Sequence, residues 1–198
     1  TQAEARQVFE DAAGRLQRLY VMWGDPYLTG RLVAMLKGRL VAPGAEDFDF
    51  AVLDAAAVSP SDLVQAIRSS PFVSGRRVVV LDRVRCFKAR GRLQEETADV
   101  DTSATEQPSA ADETAWDFVF ADPPSTSCVV AITDGPPDAR LRLTKAVLTR
   151  SQFVECALTG RDAQALAGDI VRETVARLGL KMGWRAQGLL VSTVGTDY

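Results

Sequence analysis

Short apolar runs, each followed by a stretch of helical spacing, constrain this chain more than any other feature, because that alternation is the pattern of βαβ units in a parallel sheet. Leu19-Tyr20-Val21-Met22-Trp23 is the first run and ends at Gly24-Asp25-Pro26. Leu28, Leu32, Val33, Met35 and Leu36 then recur at helical spacing, giving strand, turn and helix. Phe48 to Leu53 alternates Asp with apolar residues and predicts a second strand. Ser59-Pro60-Ser61-Asp62 opens a helix carrying Leu63, Val64 and Ile67, since Pro and Asp suit a first turn where an N–H is spare and the dipole favours an anion. Val78-Val79-Val80-Leu81 is a continuous apolar run, three of its four residues β-branched, as expected of a central strand buried on both faces.

The stretch from about 91 to 113 has almost no large apolar residues and is rich in Glu, Asp, Thr, Ser and Ala, which predicts a mobile surface insertion. Beyond it a short helix runs over Thr114 to Phe120, a fourth strand over Cys128 to Ile132, a helix over Asp138 to Arg150 and a fifth strand over Phe153 to Leu158. Two helical patterns, Asp162 to Leu178 and roughly Arg185 to Val194, follow. The expected fold is α/β: a doubly wound, parallel, five-stranded sheet over 1–158, then a small helical, lid-like domain over 159–198 that reads as truncated.

The chain of 198 residues has no histidine. That removes Ser-His-Asp and Cys-His catalysis and every histidine metal ligand. Cys86, Cys128 and Cys156 lie far apart with no C-x-x-C pair, so no metal site is expected, and Cys128 and Cys156 read as small buried hydrophobes in a reducing compartment. A formal net charge of −3 argues against a surface that wraps nucleic acid as a whole. No apolar run approaches the ~20 residues that span a bilayer, and residues 1–14 are polar, which points to the cytoplasm and to no membrane partner.

The first strand-turn-helix is where such a fold would hold phosphate, because backbone N–H groups and a helix N-terminus converge there. A working loop reads G-x-x-x-x-G-K-[ST]. Here the stretch runs Gly24, Asp25, Pro26, Tyr27, Leu28, Thr29, Gly30, Arg31, Leu32. The second glycine is one residue late, Arg31 stands for lysine, Leu32 replaces the magnesium-binding hydroxyl, and Asp25 would repel phosphate. The third strand ends in Asp82, yet Arg83 follows where an ATPase needs a second acid to position water. Gly24, Asp25, Gly30 and Arg31 thus form a degenerate phosphate loop, with no catalytic residue and no cofactor expected. Two alternatives stay open. One is an NTP-binding or ATPase domain with a divergent loop. The other is a DNA-binding module using the basic segment 76–92, whose Arg76, Arg77, Arg83 and Arg85 are the candidate DNA contacts, although a solvated basic face, with the acidic stretch after it, is the simpler reading.

Residues 19–28, then Ser70-Pro71-Phe72-Val73-Ser74-Gly75-Arg76-Arg77 into Val78–Leu81, then Pro123-Pro124-Ser125-Thr126-Ser127-Cys128-Val129-Val130 resemble, in that order, the delta subunit of the bacterial DNA polymerase III clamp loader. The helix from Arg140 to Ala146 and the segment from Val154 to Asp162 continue the likeness. The resemblance implies an AAA+-like fold without ATPase activity, in a subunit that binds the sliding clamp and helps open it while sister subunits hydrolyse ATP. It places the clamp contact on Pro71 and Phe72. Family members often have leucine before that phenylalanine, so Pro71 is a departure; the acidic insertion is another. The implied partners are the sliding clamp, other clamp-loader subunits and, indirectly or weakly, DNA. Family members also continue into a helical collar that this chain does not reach.

Overall fold

The computed structural model describes residues 16–88, 116–117, 119–156 and 160–194. The segment read as a mobile insertion, 91–113, lies outside the described residues. Five parallel strands form one sheet: β1 (Leu19–Gly24), β2 (Phe50–Asp54), β3 (Arg77–Asp82), β4 (Ser127–Thr133) and β5 (Gln152–Cys156), in the order β2-β3-β4-β1-β5. The helices are α1 (Pro26–Leu40), α2 (Glu46–Asp49), α3 (Pro60–Arg68), α4 (Arg142–Leu148), α5 (Gly160–Arg177) and α6 (Trp184–Val194).

The strands form where the sequence is most continuously apolar. β1, β3 and β4 are buried along nearly their whole length, because each lies between two other strands and is covered on both faces. Alternate residues face opposite layers. Tyr20, Met22, Val78, Val80, Cys128 and Val130 pack under Leu28, Leu32 and Leu36 of α1. Leu19, Val21, Val79, Leu81, Val129 and Ala131 pack against Leu63 and Ile67 of α3 and Val147 of α4. Helices on both faces of a parallel sheet make the fold doubly wound α/β.

Local chemistry starts α3 where the sequence places it. Ser59 caps α3: its Oγ accepts from the Asp62 N–H at 3.2 Å and donates to Asp62 Oδ2 at 2.7 Å, with Pro60 opening the first turn. Ser127 Oγ donates to the Ile67 carbonyl at 2.6 Å, fastening the other end of α3 to the foot of β4. Phe87 and Phe120 lie 5.1 Å apart beneath the α3 face, and Trp116 stacks on Phe120 at 5.6 Å.

Several boundaries differ from the sequence reading. The second strand begins at Phe50, since residues 46–49 form the short helix α2. The helix expected over 138–150 is confined to Arg142–Leu148, because Asp138 makes a turn whose Oδ1 accepts from the Arg140 N–H at 2.9 Å. The fifth strand covers Gln152–Cys156, and residues 157–158 lie outside the described residues.

Candidate functional site

At the carboxyl end of β1, one residue separates strand from helix: Gly24 ends β1 and Pro26 begins α1. Asp25 caps the helix, its Oδ1 accepting from the Leu28 N–H at 2.9 Å. Its carbonyl accepts from the Thr29 N–H at 3.0 Å and from Thr29 Oγ1 at 2.8 Å, while its own N–H donates to the Cys156 carbonyl at 2.7 Å. Pro26 has no N–H. The groups that would cradle a phosphate are therefore engaged inside the fold, and a carboxylate already sits at the positive end of the helix. Gly30 and Arg31 lie inside α1, not on a loop, and Arg31 Nη2 bonds Glu173 Oε2 of α5 at 3.1 Å.

At the same end of β3, Asp82 Oδ1 accepts from the Arg83 N–H at 3.0 Å. Arg83 adopts a left-handed φ of 56° and pairs with Asp54, which lies beside Asp82 in the sheet register. The positively charged guanidinium thus stands beside the strand-end carboxylates of β2 and β3.

The four arginines weighed as DNA contacts are divided. Arg76 and Arg77 lie at the start of β3, Arg83 and Arg85 just past its end, about 20 Å away at ~3.3 Å per strand residue. Arg76 Nη1 donates to the Leu16 carbonyl at 2.9 Å, so it works as a structural tie.

The amino end of the β2–β3 edge is different in character. Pro71, half-buried, leads into Phe72 and Val73, which are 75% and 65% exposed. Phe48, at the end of α2, is 56% exposed, and its ring lies 5.2 Å from that of Phe72 with the planes tilted by 34°. Beneath them Asp49 is fully buried. Its Oδ1 accepts from the Phe72 N–H at 2.5 Å, and its Oδ2 accepts from the N–H groups of Val73 at 3.0 Å and Ser74 at 2.7 Å. Ser74 Oγ in turn accepts from the Ala42 N–H at 2.9 Å. Burial pushes the Asp49 carboxyl pKa up, but the hydrogen bonds from residues 72–74 outweigh it and hold the group well below the usual carboxylate range. The family likeness singles out Pro71 and Phe72, and nothing in the sequence marks Phe48, Val73 and Asp49 as their partners in this surface. The signal for Phe48 and Asp49 was hidden in a stretch read as strand, where an alternating Asp is taken for a solvent-facing residue.

A family model described as DNA polymerase III, delta subunit, matches residues 20–157. This chain belongs to that family. Among curated proteins nothing matches. Solved structures share the fold of this delta-family chain. A Bacillus subtilis DNA clamp loader delta protein superposes with a TM-score of 0.64 at 17% identity, over 96% of this chain and 52% of the other. A DNA polymerase III gamma subunit-related protein from Thermotoga maritima gives 0.50 at 13% identity, over 85% and 52%. The delta-family chain thus spans about half the length of these solved structures. Among its described residues no helix is long and apolar enough to cross a membrane.

Proposed function

We propose that this chain is the AAA+-like module of a clamp-loader delta subunit, which binds the sliding clamp in the cytoplasm and helps open it during DNA replication without hydrolysing ATP. The observation that carries the reading is Phe72: a large aromatic side chain three-quarters exposed, at the position where the family resemblance puts the clamp contact. Exposed large apolar side chains that are locally fixed mark surfaces for a protein partner. Pro71 supplies rigidity ahead of it in place of a second long apolar side chain. Leu178, Leu180, Trp184 and Leu189, all exposed in or between α5 and α6, offer a separate apolar surface for sister subunits.

The test is retention of the full chain on immobilised purified sliding clamp. Stoichiometric retention is expected, and passage straight through the column would overturn the reading.

The ATPase alternative predicts something different. With Asp25 on the helix terminus and Arg31 paired to Glu173, millimolar Mg-ATP should leave the melting temperature unchanged. A ligand at a hundred times its Kd would add ~2.7 kcal/mol to stability. That corresponds to a shift of several degrees, which would establish a working nucleotide site.

The four candidate DNA-contacting arginines sit at opposite ends of β3, and two of them are tied to protein groups. The measurement is a salt series on duplex binding. A steep fall in affinity with salt would mark several phosphate contacts and favour the DNA-binding reading.

A further inference from the structure

A charged carboxylate is rarely buried without a task. Asp49 is fully enclosed, and both of its oxygens are spent on three consecutive backbone N–H groups, those of Phe72, Val73 and Ser74. These donors come from 23 to 25 positions further along the chain, from a connection between α3 and β3 with no regular secondary structure of its own. Ser74 fastens the same connection a second time through its hydroxyl, to the Ala42 N–H. The backbone under Phe72 is therefore fixed to the end of α2. The residue just before Asp49 is Phe48, whose exposed ring meets that of Phe72.

We infer that Asp49 is the positioning residue of the clamp-docking surface and that Phe48 is its second ring, an inference that rests on the clamp-binding reading of Phe72. One short helix thus carries both the anchor that sets the Phe72 backbone and the ring against which Phe72 leans. An unanchored connection would sample many conformations and lose that freedom on docking, which weakens binding. With Asp49 in place the ordering is already done in the free protein. The partner surface must then accept two rings about 5 Å apart, with Val73 beside them, in place of one projecting phenylalanine.

The experiment combines amide hydrogen exchange of the full chain with surface plasmon resonance on immobilised sliding clamp. In the parent, the Phe72, Val73 and Ser74 amides should exchange far more slowly than an exposed loop permits; exchange at free-peptide rates would overturn the inference without any variant being made. Asp49→Asn, which keeps the shape but removes one acceptor oxygen and the charge, should speed exchange of those three amides at least tenfold. The amides of β1 and β3 should keep their protection. Clamp affinity should fall about tenfold, and Phe48→Ala should lower it by a similar factor with no loss of melting temperature. Combined with Phe72→Ala, Asp49→Asn should cost little more than Phe72→Ala alone, a coupling that a merely structural role would not produce. Parent-like affinity in both Asp49→Asn and Phe48→Ala, with Phe72→Ala still weak, overturns this inference alone. Parent-like affinity in Phe72→Ala overturns the clamp reading beneath it.

Discussion

Gly24→Ala is expected to cost ~3 kcal/mol or more of folding free energy, for two reasons that add. Gly24 has φ +114°, a conformation outside the regions open to residues with a Cβ, and strain of that kind costs about 1–3 kcal/mol. A methyl group there would also lie 2.4 Å from the carbonyl oxygen of Cys156 and 2.8 Å from its carbon. Both obstacles are backbone. Moving them apart would break the Asp25 N–H bond to that carbonyl and pull β5 from β1, where Gly24 and Cys156 are in register. Forced overpacking adds about 1–3 kcal/mol. For a chain of this length each kcal/mol is worth about 2–4 °C, so the melting temperature should drop by ~10 °C. Gly30→Ala supplies the contrast. Gly30 lies inside α1 with nothing within 4 Å of an added Cβ, so alanine should stabilise by about 0.5–1 kcal/mol. A phosphate loop would penalise both substitutions; a strand-helix turn penalises only the first. Thermal melts of the two variants decide it.

The parts of the fold legible in the sequence are those set by local pattern. Val78 to Leu81 could only be a strand covered on both faces, and Ser59-Pro60 with Asp62 could only start a helix at Pro60. The parts that stayed hidden depend on atoms distant along the chain. Asp49 looks like a surface acid until Phe72, Val73 and Ser74 bring their N–H groups to it, and no spacing rule announces that meeting. Because α2 is a single turn, its apolar residue Phe48 has no periodicity to betray it and merges with the strand that follows. Gly24 and Gly30, read together as a degenerate phosphate loop, have separate roles. Their separation is one residue longer than a phosphate loop's, and in three dimensions one is a close-approach glycine and the other an exposed helix position. The family likeness, carried by short blocks in order, drew attention to Phe72, whose ring the fold leaves exposed.

Phe72→Ala should produce the largest loss of function of any single truncation. Interfaces of this kind rest on a few apolar anchors, and removing one costs ~2 kcal/mol or more, about thirty-fold in affinity. Phe72 is 75% exposed, so its removal leaves no cavity and exposes no core. A buried phenylalanine such as Phe120 would behave oppositely, truncation costing about 3–5 kcal/mol of stability. The direct test is the Kd of the full chain for the sliding clamp, parent against Phe72→Ala, with melting temperatures taken on the same samples. The account predicts a Kd raised about thirty-fold or more and a melting temperature within about a degree of the parent's. An unchanged Kd, or a melting temperature lowered by ~10 °C, would contradict it.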